Sequence, residues 1–407
     1  MKRFGLLGEK LGHSFSPSIH WMLGSYAYEL CEIPPSLLED FMRNNDLDGF
    51  NVTIPYKQEV IKWCRELSDR ARAIGSVNTM IRMPDGSYRG ENTDYEGFML
   101  MMGPVKDNIR GQKALILGSG GASKTVRAVL RDLGAEPLIT ISRRGPVSYN
   151  DLEIHKDAAL IVNTTPVGMF PKNGVSPIDL AKFSNCIFVA DLIYNPARTA
   201  LMLQAERLGI MSRGGLLMLT EQARRASELF TGTSIPENAS VEIAGKIERE
   251  TKNIVLIGMP GCGKTAVAKH LYDLTKRRFV DIDEEIESRE GMTIPEIFAN
   301  FGEAHFRRVE SEVLARFCKE SGLVIAAGGG VVTTPENKDI MRQNGTVVFI
   351  KRKLKDLATS GRPVTKAKGV EQIYSERAGL YESWSDISVE NKDMLKTARK
   401  ILEVLKL

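Results

Sequence analysis

The sequence is poor in cysteine, with five in 407 residues, and none stands in a C-x-x-C spacing. Cys31, Cys64, Cys186, Cys262 and Cys318 are scattered and odd in number. That pattern speaks against a disulfide framework or a structural zinc site and points to free thiols in a reducing cytosol. Long apolar runs are missing as well. None approaches the roughly 20 residues that span a bilayer, and the N-terminal Met1-Lys-Arg-Phe4-Gly-Leu-Leu-Gly8 lacks the apolar core of a signal peptide. Nor is there an excess of one charge: the net +4 is slight, and lysines and arginines are interspersed with acids. This gives no case for nucleic acid or an anionic membrane as partner, and it suits anionic small substrates. Repeats, low-complexity tracts and Pro/Ser linkers are also lacking. The expectation is a soluble, cytoplasmic protein whose partners are small molecules.

What is present is a globular composition, 43% hydrophobic and 26% charged, at a length that calls for two or three domains. Residues 4–8, 113–122 and 253–264 each read as a short apolar strand, a glycine turn and the start of a helix. Strand-to-helix alternation continues between them, so the expected class is α/β with largely parallel sheets. Residues 235–250 read as a turn and a helix that runs directly into a strand at 254–257, which makes the join there short.

The sequence Gly258-Met-Pro-Gly261-Cys-Gly263-Lys264-Thr265 fits the phosphate-binding pattern G-x-x-x-x-G-K-S/T after an apolar strand. Its glycines let backbone N–H groups turn around a β-phosphate at a helix start, Lys264 neutralises the β- and γ-phosphates, and the Thr265 hydroxyl ligates Mg2+. No N-K-x-D motif of a GTPase accompanies it. Instead the next strand is expected to end in Asp281-Ile-Asp283, with both acids on one face at the carboxyl end of the sheet. Two readings stand at this point: one carboxylate serves Mg2+ while the other accepts a hydroxyl proton, or both are solvated strand-end acids. Further on, Arg307-Arg308 suits a bidentate clamp on a carboxylate, and Gly328-Gly329-Gly330 lets a flat ligand lie against backbone.

In this order, residues 252–407 closely resemble shikimate kinase. The resemblance implies a P-loop kinase domain with a parallel sheet, using ATP and Mg2+ on shikimate. It implies that Gly258, Gly261, Gly263, Lys264 and Thr265 bind ATP, with Arg362 reaching the phosphates from a lid. Thr265 and Asp281 lie near the metal. Asp283 contacts the shikimate hydroxyls and accepts the proton, while Arg307, Gly329, Gly330 and Arg377 hold the substrate and its carboxylate. One departure precedes the lid: Leu357-Ala-Thr-Ser-Gly361 stands where the family often carries a further basic residue.

The N-terminal half opens with His13-Ser14-Phe-Ser16-Pro17-Ser-Ile-His20, a loop whose serines suit helix capping or a ligand. Asn51-Val-Thr53-Ile-Pro55-Tyr-Lys57 reads as a strand delivering a lysine, followed by Val77-Asn78-Thr79 and Asn92-Thr93-Asp94. A lysine and an aspartate that meet in a cleft act as proton donor and electrostatic partner. Gly118-Ser-Gly120-Gly121-Ala122 is a dinucleotide-type turn with altered glycine spacing. The strand after it ends in Ser142-Arg143-Arg144, where an acid would favour NAD; arginines suit the 2′-phosphate of NADP(H).

This ordered set, with Asn163-Thr-Thr165-Pro-Val-Gly168 and Gly215-Leu-Leu-Met218-Leu-Thr-Glu-Gln222, resembles shikimate dehydrogenase over about residues 1–248. The resemblance implies a substrate-binding domain at 1–103, completed by about 215–250, and an inserted Rossmann NADP-binding domain at 104–214, with the kinase at 252–407. It implies that Lys57 and Asp94 are the catalytic pair. Ser14, Ser16, Asn51, Thr53, Asn78, Asp94 and Gln222 bind substrate, and Gly118, Gly120, Gly121, Ala122, Ser142, Arg143 and Arg144 bind NADP. Tyr194 and Gly215 flank the nicotinamide. The implied activity is NADPH-dependent reduction of 3-dehydroshikimate followed by MgATP-dependent phosphorylation of shikimate. Two other readings remain: a quinate/shikimate dehydrogenase fused to another small-molecule kinase, and a non-catalytic nucleotide-sensing protein.

Overall fold

The computed structural model describes residues 1–12, 14–357 and 369–407. They form two compact units: Met1–Met169, Val175–Tyr194 and Leu201–Lys246 in one, and Phe170–Gly174, Asn195–Ala200 and Ile247–Leu407 in the other. Among the described residues, no helix is long and apolar enough to cross a membrane.

The first unit holds two sheets. One comprises β1 (Arg3–Gly8), β2 (Ala27–Glu32), β3 (Gly49–Val52), β4 (Cys64–Leu67), β5 (Thr79–Arg82) and β6 (Tyr88–Glu91) in the order β2-β1-β3-β5-β6-β4. It is mixed, because a tight turn at Gly86, with φ +84°, folds β5 back antiparallel onto β6, and β5 also runs antiparallel to β3. The β3–β5 register sets Asn51 opposite Thr79, which brings two separated sequence motifs side by side.

The other sheet comprises β7 (Ala114–Leu117), β8 (Leu138–Ile141), β9 (Leu160–Asn163), β10 (Phe188–Asp191) and β11 (Met211–Gly214), all parallel, in the order β11-β10-β9-β7-β8. Strand β7 is buried throughout, as expected for a parallel strand covered on both faces. Its side chains alternate between two apolar clusters, Ala114 and Ile116 in one and Leu115 and Leu117 in the other. Helix Leu216–Thr231 crosses helix Asp94–Met101 at Gly97, where a Cβ would stand 2.6 Å from the Met218 carbonyl oxygen. Only glycine permits that approach, and it brings Gln222 toward the Asp94 end.

The second unit is built on β12 (Asn253–Ile257), β13 (Phe279–Asp281), β14 (Val324–Ala326), β15 (Gly345–Lys351) and β16 (Ile387–Glu390), all parallel, in the order β13-β14-β12-β15-β16. Central β12 is fully buried in an apolar cluster that includes Val267, Leu271, Val348 and Ile350. The chain leaves β12 for one side of the sheet and returns on the other, so a crevice opens at the carboxyl end of β12. Helix Ala239–Thr251 leads into β12 with only Lys252 between them, in keeping with the short join expected.

Candidate active sites

In the first unit, the chain leaves β3 through a turn that carries Lys57, and Asp94 is the first residue of helix Asp94–Met101. Lys57 Nζ lies 2.6 Å from Asp94 Oδ2, with the side chains 15% and 6% exposed. The Val77 N–H donates to the Lys57 carbonyl at 2.8 Å, fixing the lysine backbone against the strand that leads to Asn78. A carboxylate in the first turn of a helix is stabilised by the backbone dipole, and it in turn holds the ammonium.

The glycine turn comes to the same place. Gly121 begins helix Gly121–Asp132, and a Cβ on it would stand 3.1 Å from Lys57 Cβ. Gly118 has φ +109°, and a Cβ there would meet Thr164 Oγ1 at 2.6 Å. Gly118 therefore requires glycine, and at Gly121 the absence of a side chain lets the helix start lie close against the Lys57 side chain. Ser142 is buried at the end of β8, while Arg143 and Arg144 project exposed from the turn that follows. Gly215 caps helix Leu216–Thr231 and donates to the Ile193 carbonyl at 3.0 Å; a Cβ would collide with the Leu192 carbonyl. The neighbouring Tyr194 hydroxyl bonds Ser14, its ring lies 5.3 Å from that of Phe15, and burial raises its pKa.

Around the pair sits a network of neutral polar side chains. Asn78 Oδ1 accepts from the Thr93 N–H at 2.7 Å, and its Nδ2 donates to Thr93 Oγ1 at 3.0 Å and Gln222 Oε1 at 3.3 Å. Asn51 Nδ2 donates to Thr79 Oγ1 at 3.0 Å, and its Oδ1 accepts from the Tyr28 hydroxyl at 2.7 Å. Ser16 is buried, and Thr53, half-buried, is pinned by its N–H to the Leu7 carbonyl at 2.9 Å. The two serines do not cap helix Ser16–Leu23 as the sequence suggests. Phe15 occupies the cap position, and Ser14 Oγ instead accepts the Ser16 N–H at 3.2 Å, a local turn that competes with capping.

Several participants are invisible to motif reading. Tyr28 orients Asn51, and His20 stacks on Tyr28 at 3.8 Å. Burial pushes His20 down to about 3, so the ring is neutral at neutral pH. Its Nδ1 lies 2.7 Å from the Tyr26 hydroxyl, which spends its own hydrogen on Ser227 at 2.8 Å, so the imidazole is the donor. Strand pairing and a neighbouring helix, not local spacing, bring these side chains in.

In the second unit, a cavity of about 490 Å³ opens beside the phosphate loop. Gly258, Gly261 and Gly263 have φ of +146°, +82° and +96°, values that suit a loop whose N–H groups turn inward. Lys264 is buried and donates to the carbonyls of Gly258 and Met259 at 2.9 and 3.2 Å. Thr265 Oγ1 donates to Asp281 Oδ2 at 2.7 Å.

The expected strand placement of both acids needs correction. Strand β13 ends at Asp281, and Asp283 lies in the first turn of helix Ile282–Glu290, where the Asp281 carboxylate accepts its N–H at 3.0 Å. An Asp cap stops the strand and starts the helix. The two carboxylates still line one cavity, through a strand-to-helix turn instead of a strand face. Burial, then the neighbouring Asp281, raises the Asp283 pKa, while Lys264 and Arg307 pull it back.

Arg307 Nη1 donates to Glu310 Oε2 at 2.7 Å. Glu310 is fully buried, its pKa is raised by burial against the pull of Arg307, and its Oε1 has no partner. A Cβ on Gly328 would stand 2.5 Å from Glu310 Oε1 and 2.8 Å from Asp283 Oδ1, so glycine there leaves both carboxylates room. The Gly329 carbonyl accepts from Arg377 Nη1 at 3.0 Å and from the Tyr381 hydroxyl. The Arg307 guanidinium lies against Gly330, where any side chain would displace it. Glu310 was missed by sequence reading, although its position three residues after Arg307 on one helix places the two on one face. Arg362 lies outside the described residues. Among the described residues, no cluster of three or more His, Cys, Asp or Glu side chains could hold a metal ion.

Comparison with known proteins gives two family matches. Residues 6–80 match the family model of the shikimate dehydrogenase substrate binding domain, and residues 260–406 match that of shikimate kinase. A curated NADP(+) shikimate dehydrogenase from Caldanaerobacter subterraneus is 34% identical over 258 residues, which cover 57% of this chain and 92% of the relative. One from Methanopyrus kandleri is 36% identical over 264 residues, covering 57% and 91%. Among solved structures, a chorismate mutase/shikimate 5-dehydrogenase fusion protein from Clostridium acetobutylicum is similar at 36% identity and TM-score 0.57, over 61% of this chain and 97% of that one. A shikimate 5-dehydrogenase from Thermus thermophilus, in complex with NADP(H) and shikimate, is similar at 29% identity and TM-score 0.54, over 60% and 99%.

Proposed function

We propose that this chain, which belongs to the shikimate dehydrogenase family and carries a shikimate kinase domain behind that part, catalyses two consecutive reactions on one ring. The first is NADPH-dependent reduction of 3-dehydroshikimate to shikimate. The second is MgATP-dependent phosphorylation of shikimate to shikimate 3-phosphate. We assign substrate binding in the first reaction to residues 1–103 and about 215–250, NADP binding to 104–214, and the kinase to 252–407. The free cysteines suit a reducing cytosol, which is where we place the protein.

The observation that carries this reading is the Lys57–Asp94 pair beside Gly121. A carbonyl reduction needs a cation at the oxygen that gains charge and a hydride donor on an adjoining face. When bound, NADPH supplies the hydride and MgATP the γ-phosphoryl group. Lys57, held by Asp94, stabilises and protonates the developing alkoxide. Ser14, Ser16, Asn51, Thr53, Asn78 and Gln222 hold the hydroxyls and carboxylate of the ring. The exposed Arg143 and Arg144 pair with the cofactor 2′-phosphate, and Tyr194 and Gly215 border its nicotinamide end.

In the kinase, Asp283 accepts the proton of the attacking hydroxyl, and Arg307, Arg377, Gly329 and Gly330 seat the acid. Lys264 faces the phosphates. Thr265 Oγ1 and Asp281 Oδ2 are hard oxygen donors 2.7 Å apart. They fit Mg2+, which is held by one or two protein oxygens together with phosphates and water. Steady-state assays of 3-dehydroshikimate with NADPH and of shikimate with MgATP test the reading, and turnover is expected in both. Preference for quinate with NAD+ would replace the first assignment, and preference for nucleotides over shikimate as phosphoryl acceptor would replace the second.

A further inference from the structure

Among the described residues, four cations line the cavity beside the phosphate loop, and three of them are already engaged by the protein. Lys264 is bonded to two loop carbonyls, Arg307 to Glu303 and Glu310, and Arg377 to the Gly329 carbonyl. The fourth, Arg352, directly follows β15 and is half-buried, yet among the described residues it makes no ion pair or hydrogen bond. A guanidinium partly removed from water is unfavourable without a counter-anion, and its planar fork matches phosphate oxygens.

Gly263 locates this side chain. A Cβ on Gly263 would stand 3.7 Å from Arg352 Nη1 and 3.8 Å from Met394 Cε, so both groups flank the loop residue just before Lys264. Sheet order then decides which end of a nucleotide they meet. Strands β13 and β14 lie on one side of β12 and lead to Asp281, Asp283 and Gly328, whereas β15 and β16 lie on the other and lead to Arg352 and Met394. The transferred phosphoryl group has to face the acceptor-binding side. The α-phosphate and nucleoside are therefore directed toward β15.

We propose that Arg352 binds the α-phosphate of the nucleotide, as the counter-cation on the nucleoside side of the phosphate loop. The proposal rests on the kinase reading above and adds a contact on the side where the sequence before the lid lacks the family's further basic residue. Titration of the full chain with MgADP, beside steady-state kinetics of shikimate phosphorylation, tests it. Arg352→Ala should weaken both MgADP affinity and the KM for ATP about tenfold, the size of one charge-assisted contact, with little change in kcat or in the KM for shikimate. Arg352→Lys keeps the charge without the fork and should fall between the two. Unchanged MgADP affinity in both variants would overturn the proposal. So would a fall in kcat alone, which would put Arg352 at the transferred phosphoryl. Failure of the kinase reading would show separately, as absence of shikimate phosphorylation by the unaltered chain, and the MgADP titration would still report on Arg352.

Discussion

Lys57 Nζ and Asp94 Oδ2 lie 2.6 Å apart although 37 residues separate them in sequence, and both side chains are largely buried. The contact exists because β3 and β6 run in the same direction, so the turn that leaves β3 and the helix start that follows β6 lie at the same end of the sheet. It makes the two halves of the proposed reductive chemistry one unit. Lys57→Met should lower kcat for dehydroshikimate reduction about 100- to 10,000-fold, the usual range for a lost general acid. Phosphorylation of shikimate by the same sample should be unchanged.

Asp94→Asn tests the pair from the other side. It leaves the ammonium without its counter-charge, and breaking a buried ion pair this way costs about 3–5 kcal/mol. Thermal unfolding of the first unit should therefore fall in Asp94→Asn, with loss of reductase activity measured by NADPH absorbance.

Lys264→Ala is the reciprocal experiment. Loss of the loop cation should reduce shikimate phosphorylation about 100- to 1,000-fold, as for removal of one preorganised electrostatic group, while dehydroshikimate reduction persists.

The raised pKa of Asp283 gives a pH prediction with a definite sign. As pH rises past the ordinary aspartate value, the unfolded chain gives up this proton before the folded one does. The folded state then binds more protons, so this group's contribution to stability falls with rising pH through the folded pKa. Asp283→Asn should abolish phosphorylation yet be relatively more stable than the parent at neutral pH, and the advantage should vanish in acid where both are uncharged. Unfolding curves of both proteins at several pH values read this directly. Phosphorylation should also fail on the acid side at a higher pH than an ordinary aspartate would dictate, because a proton acceptor must be ionised.

Tyr28→Phe probes the orientation of Asn51. It removes the hydroxyl that fixes the Asn51 amide and leaves a buried carbonyl oxygen without its donor, a cost of about 1–3 kcal/mol. The KM for dehydroshikimate should rise, while the pH profile set by Lys57 and Asp94 stays in place.

Most of the layout was legible because its signals are local. The phosphate loop declares itself within eight residues, from Gly258 to Thr265, and the glycine turn at Gly118 follows a continuous apolar strand. The short join before β12 was equally readable from helix Ala239–Thr251. What escaped depends on side chains meeting across the fold. Tyr28 reaches Asn51 through the packing of β2, β1 and β3, and nothing in the spacing of either residue announces it. Glu310 looks like one more helix-surface acid in a charged stretch until burial and Arg307 distinguish it. Asp283 was read on the right wall of the crevice but on the wrong element, because an aspartate that caps a helix also fits the end of a strand. Arg352 is set apart only by the tertiary structure, in which the other three described cations of the cavity, Lys264, Arg307 and Arg377, each have a protein partner.

One measurement bears most directly on the central claim: incubate the full chain with 3-dehydroshikimate, NADPH and MgATP, follow NADPH absorbance, and determine the product mass. Two linked activities predict oxidation of NADPH together with accumulation of shikimate 3-phosphate, and shikimate alone when ATP is omitted. Oxidation of NADPH that stops at shikimate with MgATP present, or no oxidation of NADPH at all, would contradict the account.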